Sequence, residues 1–187
     1  MTITILEKGQ RTQLDAISIQ PKGSNKYYFG MGWDVDNGEA DLDLCVALTE
    51  SGKVKHFVYY DNKSAPGVQL SNDNRTGEGE GDDEWAKIDT AALPSNIDGI
   101  EIGVAIYDGP DFKEVANPHI RWCDGDNESS PQMGDFPIKD SAFAGDTVLH
   151  VVTLQKTGSG WMLKADGVFH SKGKGSAAIN GFKDLFV

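Results

Sequence analysis

The stretch DLDLCVALT, residues 41–49, decides the fold that this sequence predicts. Its large apolar residues recur at every second position, which is the pattern of a β-strand that buries one face in a core. We therefore predict a strand over Leu42–Thr49. Because residues i and i+2 of a strand point to the same side, Asp41 and Asp43 share one face and the leucines pack on the other. One segment thus predicts both a core strand and a pair of neighbouring carboxylates.

Segments of the same kind recur at short intervals, rich in β-branched and aromatic residues and separated by turns. They predict ten further strands: Thr2–Leu6, Ala16–Gln20, Tyr27–Trp33, Lys55–Tyr60, Val68–Ser71, Trp85–Asp89, Ile100–Asp108, His119–Asp124, Thr147–Gln155 and Trp161–Ala165. Val68–Ser71 is short and is predicted to lie at a sheet edge, and Gly158-Ser159-Gly160 is predicted to close a hairpin between the last two strands. Such a series of short strands favours an all-β fold, an antiparallel β-sandwich.

Helical periodicity is scarce, and its best candidate is the tail Ala177–Phe186. Residues 125–146 form the longest stretch without a strand pattern, and we interpret them as an irregular surface excursion rather than a domain boundary. A length of 187 residues fits one domain. We therefore predict that residues 1–187 form a single sandwich domain with little helix.

The charge balance limits the partners of the protein. There are 29 acidic residues against 17 lysines and arginines, a net charge of −12, which disfavours direct nucleic-acid binding because the phosphate backbone requires basic neutralisation. No apolar run approaches the roughly 18–20 residues of a membrane span, and the first residues lack a secretory pattern, so we expect no membrane insertion and a cytoplasmic location. Cys45 and Cys123 lie in apolar alternating runs and are predicted to be buried, reduced thiols. His56 and His150 lie in predicted strands and are interpreted as structural.

The acidic residues are concentrated in two segments. Residues 34–43 hold five acidic side chains and no basic one, and residues 73–84 hold six beside Arg75 alone. Interspersed glycines permit the second segment to fold tightly, which crowds its carboxylates. Two carboxylates about 4 Å apart near the surface repel by roughly 4 kcal/mol, so several such pairs rival the net stability of a domain, about 5–15 kcal/mol. Either these side chains spread into water or a multivalent cation lies among them, and the residues alone leave both open.

For a bound cation, the available ligands favour calcium, which takes about six to eight oxygens in flexible geometry. Magnesium demands a stricter octahedron, and zinc would need thiolate or imidazole ligands that these segments lack. An EF-hand is excluded, because a loop that starts at Asp34 has Glu39 at its sixth position and Cys45 at its twelfth, where glycine and glutamate are required. A loop that starts at Asp124 fails in the same way.

Three motifs resemble the TerD-type tellurium-resistance and stress-response family: Gly32-Trp33-Asp34, Asp41-Leu42-Asp43 and the run DNRTGEGEGDDE over residues 73–84. The resemblance is strong over residues 1–108, whereas residues 109–187 diverge. It implies a β-sandwich that binds Ca²⁺, more than one ion, through acidic loops in a bacterial cytoplasmic protein. The implied ligands are Asp34, Asp41, Asp43, Asp73, Asn74, Asp82, Asp83 and Glu84, with Gly77 and Gly79 contributing carbonyls and Arg75 bracing the loop.

The resemblance also implies a role. The chain is expected to be a calcium-binding module, a sensor or scaffold that meets protein partners in a stress-response assembly and supports tolerance of tellurite and other chemical stress. We do not expect an enzyme such as a two-metal phosphoesterase, because no histidine lies beside the acidic segments and the glycines lack a phosphate-binding lysine. A domain that recognises lipid or glycan through a bridging calcium is the alternative that stays open.

Overall fold

The computed structural model describes residues 25–34, 40–138 and 144–187. These residues form eleven strands and one helix. The strands are β1 (Lys26–Asp34), β2 (Asp41–Glu50), β3 (Lys53–Val58), β4 (Ser64–Ala65), β5 (Val68–Leu70), β6 (Glu84–Asp89), β7 (Gly99–Asp108), β8 (Ala116–Asp124), β9 (Gln132–Pro137), β10 (Val148–Thr157) and β11 (Gly160–His170). The helix α1 spans Ser176–Lys183.

The strands form two antiparallel sheets that pack face to face. The six-stranded sheet has the order β4-β5-β6-β1-β8-β9, and the five-stranded sheet has the order β11-β10-β7-β2-β3. The apolar side chains of both inner faces belong to one core cluster, with Phe29 and Met31 from β1 facing Leu44 and Val104 from β2 and β7. The predicted all-β sandwich is therefore confirmed.

The alternation in β2 decides which side chains face which way. Its leucines are at most 1% exposed and lie in the core between the sheets. Because alternate residues point to opposite faces, Asp43, Cys45 and Ala47 lie on the outer face of the five-stranded sheet. This register carries Asp43 to the same face that α1 covers.

Helix α1 covers that outer face through a second, smaller apolar cluster. Small residues of the sheet, Cys45, Ala47 and Ala105, let Phe182 of the helix approach closely. Gly103 is required beneath it, because a Cβ at this position would lie 2.2 Å from Phe182 Cε2. Val148 of β10 belongs to the same cluster, so residues from β2, β7 and β10 together seat the helix.

Most strand predictions on described residues are confirmed, with ends that shift by a few residues and β11 continuing to His170. The predicted hairpin at residues 158–160 is confirmed, since Thr157 pairs with Gly160. Both cysteines are free and buried, as predicted. The predicted strands Thr2–Leu6 and Ala16–Gln20 lie outside the described residues. In the described part of the chain, no helix has the length and apolar character needed to cross a membrane.

Two predictions of local structure are wrong. Residues 125–146 contain β9, which pairs with β8; the sequence does not show its alternation because position 134 is glycine, where a side chain would meet the Trp122 indole. Val68–Ser71 does not lie at an edge, because the two-residue strand β4, too short to leave a sequence pattern, pairs outside it. The predicted helix in the tail is confirmed as α1, which ends at Lys183 rather than at Phe186.

Candidate metal centre

Three carboxylates converge where β2 begins. Asp41 and Asp43 come from this strand and Asp73 from the loop between β5 and β6, and each offers an oxygen within 4.8 Å of the others. The pairing of β2 with β7 is irregular between Asp41 and Leu42, where Asp41 faces Asp108 and Leu42 faces Ile106. This irregularity lets the strand end carry two acidic side chains toward one point. Three of the predicted ligands, two from the first acidic segment and one from the second, therefore lie close together.

Two oxygens of this group are buried and lack hydrogen-bond partners. Asp41 and Asp43 are only 6% and 2% exposed. Asp41 Oδ1 and Asp43 Oδ2 have no hydrogen-bond partner among the described residues. Leaving a buried acceptor unsatisfied costs about 1–3 kcal/mol, and more for a charged group. The arrangement therefore calls for a proton or a cation at these atoms.

The electrostatics of the group point the same way. Burial, followed by the charges of Asp41 and Asp73, raises the pKa of Asp43 to about 8. Burial and then the charge of Asp73 also raise the pKa of Asp41 above its ordinary value. The partial compensation comes from Arg75, whose Nε lies 3.5 Å from Asp41 Oδ2 on a largely exposed side chain. A cation among these oxygens would supply the missing positive charge and favour the ionised forms of Asp41 and Asp43.

Glu84, at the start of β6, accepts hydrogen bonds from both segments that carry these carboxylates. Its Oε2 accepts a hydrogen bond of 2.8 Å from the Leu44 backbone N–H, and its Oε1 accepts one of 3.3 Å from the Asn74 backbone N–H. Burial, and further the charges of Asp43 and Asp73, hold the pKa of this carboxyl well above its ordinary value. Glu84 thus ties the strand to the loop, and both of its oxygens already hold backbone partners.

Asn74 shapes the loop rather than presenting a free oxygen. Its side-chain oxygen accepts 3.1 Å hydrogen bonds from the backbone N–H groups of Thr76 and Gly77, and its amide donates to Asp83 Oδ1 at 3.0 Å. Gly77 has a φ of +63°, and a Cβ there would lie 2.3 Å from the Trp33 indole nitrogen. The loop can therefore close over the indole only with glycine at this position. Gly79, the other predicted carbonyl donor, lies in the same loop with a φ of +146°.

Asp34 and Asp83 form a second acidic pair. Asp83 Oδ2 accepts a 3.0 Å hydrogen bond from the Trp33 backbone N–H, and Asp34 accepts one of 2.6 Å from the Asn117 amide. Burial first, and then the nearby charge of Asp34, raise the pKa of Asp83. The structure does not place this pair in the group of Asp41, Asp43 and Asp73.

Asp82 lies apart from both groups. Its carboxylate forms a two-pronged ion pair with Arg121 of β8, with Nη2–Oδ2 and Nε–Oδ1 distances of 2.7 and 2.8 Å, and accepts a 2.8 Å hydrogen bond from the Tyr28 hydroxyl. It lies against the backbone of β1, where a Cβ on Gly30 would be 2.1 Å from Asp82 Oδ2. In this structure Asp82 joins the loop to the six-stranded sheet. Sequence reasoning missed Arg121, which is 39 residues from Asp82 and carries no local motif.

The unpartnered oxygens of Asp41 and Asp43 suit a hard cation. The donor set is all oxygen and carries excess negative charge, which fits the preference of calcium for oxygen ligands. The fold and this centre define a class of protein, an antiparallel β-sandwich with an acidic cluster at the end of the five-stranded sheet where β2 begins.

The comparisons with known proteins place the chain within that class. The TerD domain model matches residues 1–175, and the chain belongs to the TerD domain family. It is similar to the stress response protein SCP2 of Bacillus subtilis (strain 168), with 35% identity over 87% of this chain and 90% of the relative. It is also similar to the tellurium resistance protein TerD of Alcaligenes sp, with 34% identity over 79% of this chain and 82% of the relative. A crystal structure of a homologue of telluride resistance protein (TerD) from Streptomyces coelicolor A3(2) has the same fold, with a TM-score of 0.67 and 22% identity over 80% of this chain and 92% of that one.

Proposed function

We propose that this chain is a calcium-binding module that acts as a sensor or scaffold in the stress response of its family. The observation that supports the proposal is the pair of buried oxygens, Asp41 Oδ1 and Asp43 Oδ2, that lie beside Asp73 without a partner among the described residues. Buried acceptors are seldom left without a partner in folded proteins. Asp124 Oδ1 and Asp135 Oδ1 are also unpartnered among the described residues, but only Asp41 and Asp43 belong to a group of three carboxylates that could hold an ion. A divalent cation compensates both at once.

Asp41, Asp43 and Asp73 would hold one ion, whose chemistry is to neutralise carboxylates that the fold forces together. Asp34 and Asp83 are the proposed basis of a second site, because the charge of Asp34 already acts on Asp83. Glu84, Asn74 and Arg75 would orient the ligands through the hydrogen bonds described above rather than occupy the first coordination sphere. Asp82 has a full set of partners, so we now assign it to the fold.

A sensor requires that the ion change the surface that a protein partner meets. Asp43 lies on the outer face of the five-stranded sheet, two residues before Cys45 on the same face of β2. Cys45 belongs to the apolar cluster under α1. Partly buried aromatic residues, Tyr60 among them, pack against that cluster and form its aromatic rim. The charge of Asp43 also acts on Tyr60. Neutralising this carboxylate would therefore alter the electrostatics of the aromatic rim, and we propose this rim as the surface that reports the ion.

The proposal is tested by titrating chelator-treated full-length protein with calcium in a calorimeter. We expect saturable binding in the micromolar to millimolar range, weakened by about tenfold or more in Asp43→Asn. Asp61→Asn, which removes an exposed carboxylate from the turn after β3, is the matched control and should bind as the parent does. Absence of binding in the parent protein, or unchanged binding in Asp43→Asn, would refute the assignment.

A further inference from the structure

A second group of polar side chains lies on the outer face of the five-stranded sheet, far along the strands from the acidic loops. It contains Glu101 of β7, His150 and Thr153 of β10, and Asp166 and Lys164 of β11. The side chains of Glu101, Asp166 and His150 are 8%, 7% and 12% exposed. Charged groups are rarely buried to this degree unless they are paired.

An irregularity in β10 assembles the group. The register shifts between His150 and Val152, so that His150 faces Gly103 and Thr153 faces Glu101 on the neighbouring strand. In a regular strand, residues three apart point to opposite faces. The extra residue turns both His150 and Thr153 outward, and a β-bulge of this kind is a common device for re-aiming a side chain.

The contacts within the group leave one of the two carboxylates without a hydrogen bond from Thr153. Thr153 Oγ1 lies 2.7 Å from Glu101 Oε2 and 2.7 Å from Asp166 Oδ2. A hydroxyl carries a single hydrogen, so it can donate to only one of these two carboxylates. His150 Nε2 lies 3.0 Å from Glu101 Oε2, 3.3 Å from Thr153 Oγ1 and 3.6 Å from Asp166 Oδ2, so a proton on this nitrogen faces both acids.

The charges of the group balance when His150 is protonated and both carboxylates are ionised. Glu101 and Asp166 contribute two negative charges, and Lys164, which pairs with Asp166, contributes one positive charge. A protonated His150 supplies the second positive charge. When the imidazole is neutral, one negative charge is left without compensation among largely buried side chains, and such a charge is costly. The charge of His170 of β11 also interacts with that of His150.

The C-terminal segment closes this group from outside. The His150 ring lies edge-on to Phe182 and Phe186, with centroid distances of 6.1 and 5.1 Å. Beyond the helix, the Phe186 carbonyl accepts a 3.0 Å hydrogen bond from the Val54 N–H at the edge of the sheet. The segment from α1 to Phe186 therefore keeps water away from the charged group, and its docking depends on how well that group is neutralised.

We propose that His150, Glu101, Thr153 and Asp166 form a protonation-dependent latch that holds α1 and the following tail on the outer face of the five-stranded sheet. With His150 protonated, the group is neutral and the phenylalanines pack over it. When His150 loses its proton, the excess negative charge is solvated by opening the cover. Opening uncovers the aromatic residues Phe57, Tyr59 and Tyr60 that line the rest of this face.

The test is amide hydrogen exchange of the full-length protein at about pH 5.5 and about pH 8.5, corrected for intrinsic exchange rates. We expect protection of residues 178–186 to fall by about tenfold at the higher pH, the scale of one buried charge-assisted hydrogen bond. Protection of the core strand β2 should change much less, because the opening is local.

Substitutions separate the latch from a general effect of pH. His150→Gln keeps a polar side chain but cannot be protonated, so the pH dependence of protection should disappear. His56→Gln, on the edge strand β3, is the matched control and should behave as the parent protein. Asp166→Asn balances the group with a neutral histidine, so protection should no longer fall at high pH. If His150→Gln retains the parental pH dependence, or if the parent protein shows none, the proposal is wrong; Asp166→Asn decides the matter where His150→Gln fails to fold.

Discussion

Asp43 illustrates how one residue links the fold to the chemistry of the centre. Its strand position follows from the alternation of residues 41–49, and that alternation was visible in the sequence. Its isolation from hydrogen-bond donors was not visible, because it depends on the loop that carries Asp73 and on the depth of burial. The sequence therefore predicts that Asp41 and Asp43 share one face of a strand, whereas only the structure shows which other acid joins them and which oxygens are left without partners.

A first prediction concerns the pH dependence of stability without calcium. The pKa of Asp43 is raised to about 8, so its protonated form is favoured in the folded state, and its contribution to stability is lost as the pH rises from the ordinary aspartate range through 8. We expect the thermal midpoint of chelator-treated protein to fall over this interval. Asp43→Asn, which mimics the protonated acid, should raise the calcium-free stability at pH above 8 by about 1–3 kcal/mol and flatten the curve. A parallel decline in parent and variant would contradict the assignment.

Asp82 is the opposite case. Its motif predicts an ion ligand, whereas the partners of its carboxylate are side chains of the six-stranded sheet. Motif reading assigns Asp82, Asp83 and Glu84 one shared role because they are adjacent. Asp82 precedes β6, so the alternation of that strand does not fix its direction, and here Asp82 turns to Arg121 while Glu84, the first residue of β6, turns to Leu44. Partners that are distant in sequence decide between such roles, and a single sequence does not contain them.

A second prediction follows from that pair. Arg121→Met leaves the carboxylate of Asp82, whose side chain is 2% exposed, without its cation, and breaking a buried ion pair costs about 3–5 kcal/mol. Lys55→Met, which breaks the exposed pair of Lys55 with Glu50, should cost at most about 1 kcal/mol. Urea unfolding with calcium and with chelator measures both. The loss in Arg121→Met should be equal in the two conditions, and a loss that appears only with calcium would return Asp82 to the metal centre.

At the scale of elements, the strands that build the core were predictable and the irregular ones were not. β2 and β7 place a large apolar side chain in the core at every second position, so their sequences carry the pattern. The sequence of β9 lacks the alternation because Gly134 makes room for Trp122. The bulge of β10 turns His150 to the outer face, and the apolar residues beside it in the sequence do not reveal this. Sequence reading correctly placed His150 in a strand but could not reveal its acidic partners on β7 and β11.

A third prediction tests the seat of α1. Gly103→Ala places a Cβ within 2.2 Å of Phe182 Cε2 and 2.6 Å of the Leu149 carbonyl oxygen, so the helix or the strand must shift. Overpacking of this kind costs about 1–3 kcal/mol, and we expect unfolding at lower urea concentration. Gly158→Ala, in the hairpin between β10 and β11 with nothing within 4 Å of the added carbon, is the control and should be nearly neutral. Equal stability of the two variants would show that α1 does not need the close approach.

At the scale of the whole molecule, the two sheets give the acidic loops a rigid base while the excess of acid makes the domain sensitive to cations. The net charge of −12 is carried by a sandwich whose core is apolar and continuous. Self-repulsion of that size disfavours the compact state, and it is strongest where the carboxylates are closest. A cation bound at Asp41, Asp43 and Asp73 would act on the stability of the whole domain, because these residues join β2 to the loop before β6.

The last prediction is therefore that calcium stabilises the entire sandwich and does so through this centre. A ligand that binds only the folded state at about 100 times its dissociation constant adds about 2.7 kcal/mol. For a domain of this length, each kcal/mol raises the thermal midpoint by about 2–4 °C, so calcium should raise it by about 5–10 °C over chelator-treated protein. Sodium chloride at equal ionic strength separates site binding from screening of the net charge, since screening acts on exposed charges and leaves a buried oxygen unsatisfied. Asp43→Asn should lose most of the calcium-specific increment and keep the salt response, whereas Asp61→Asn should keep both. An equal rise with sodium and calcium in the parent protein would mean that the acidic loops respond to ionic strength and hold no ion of their own.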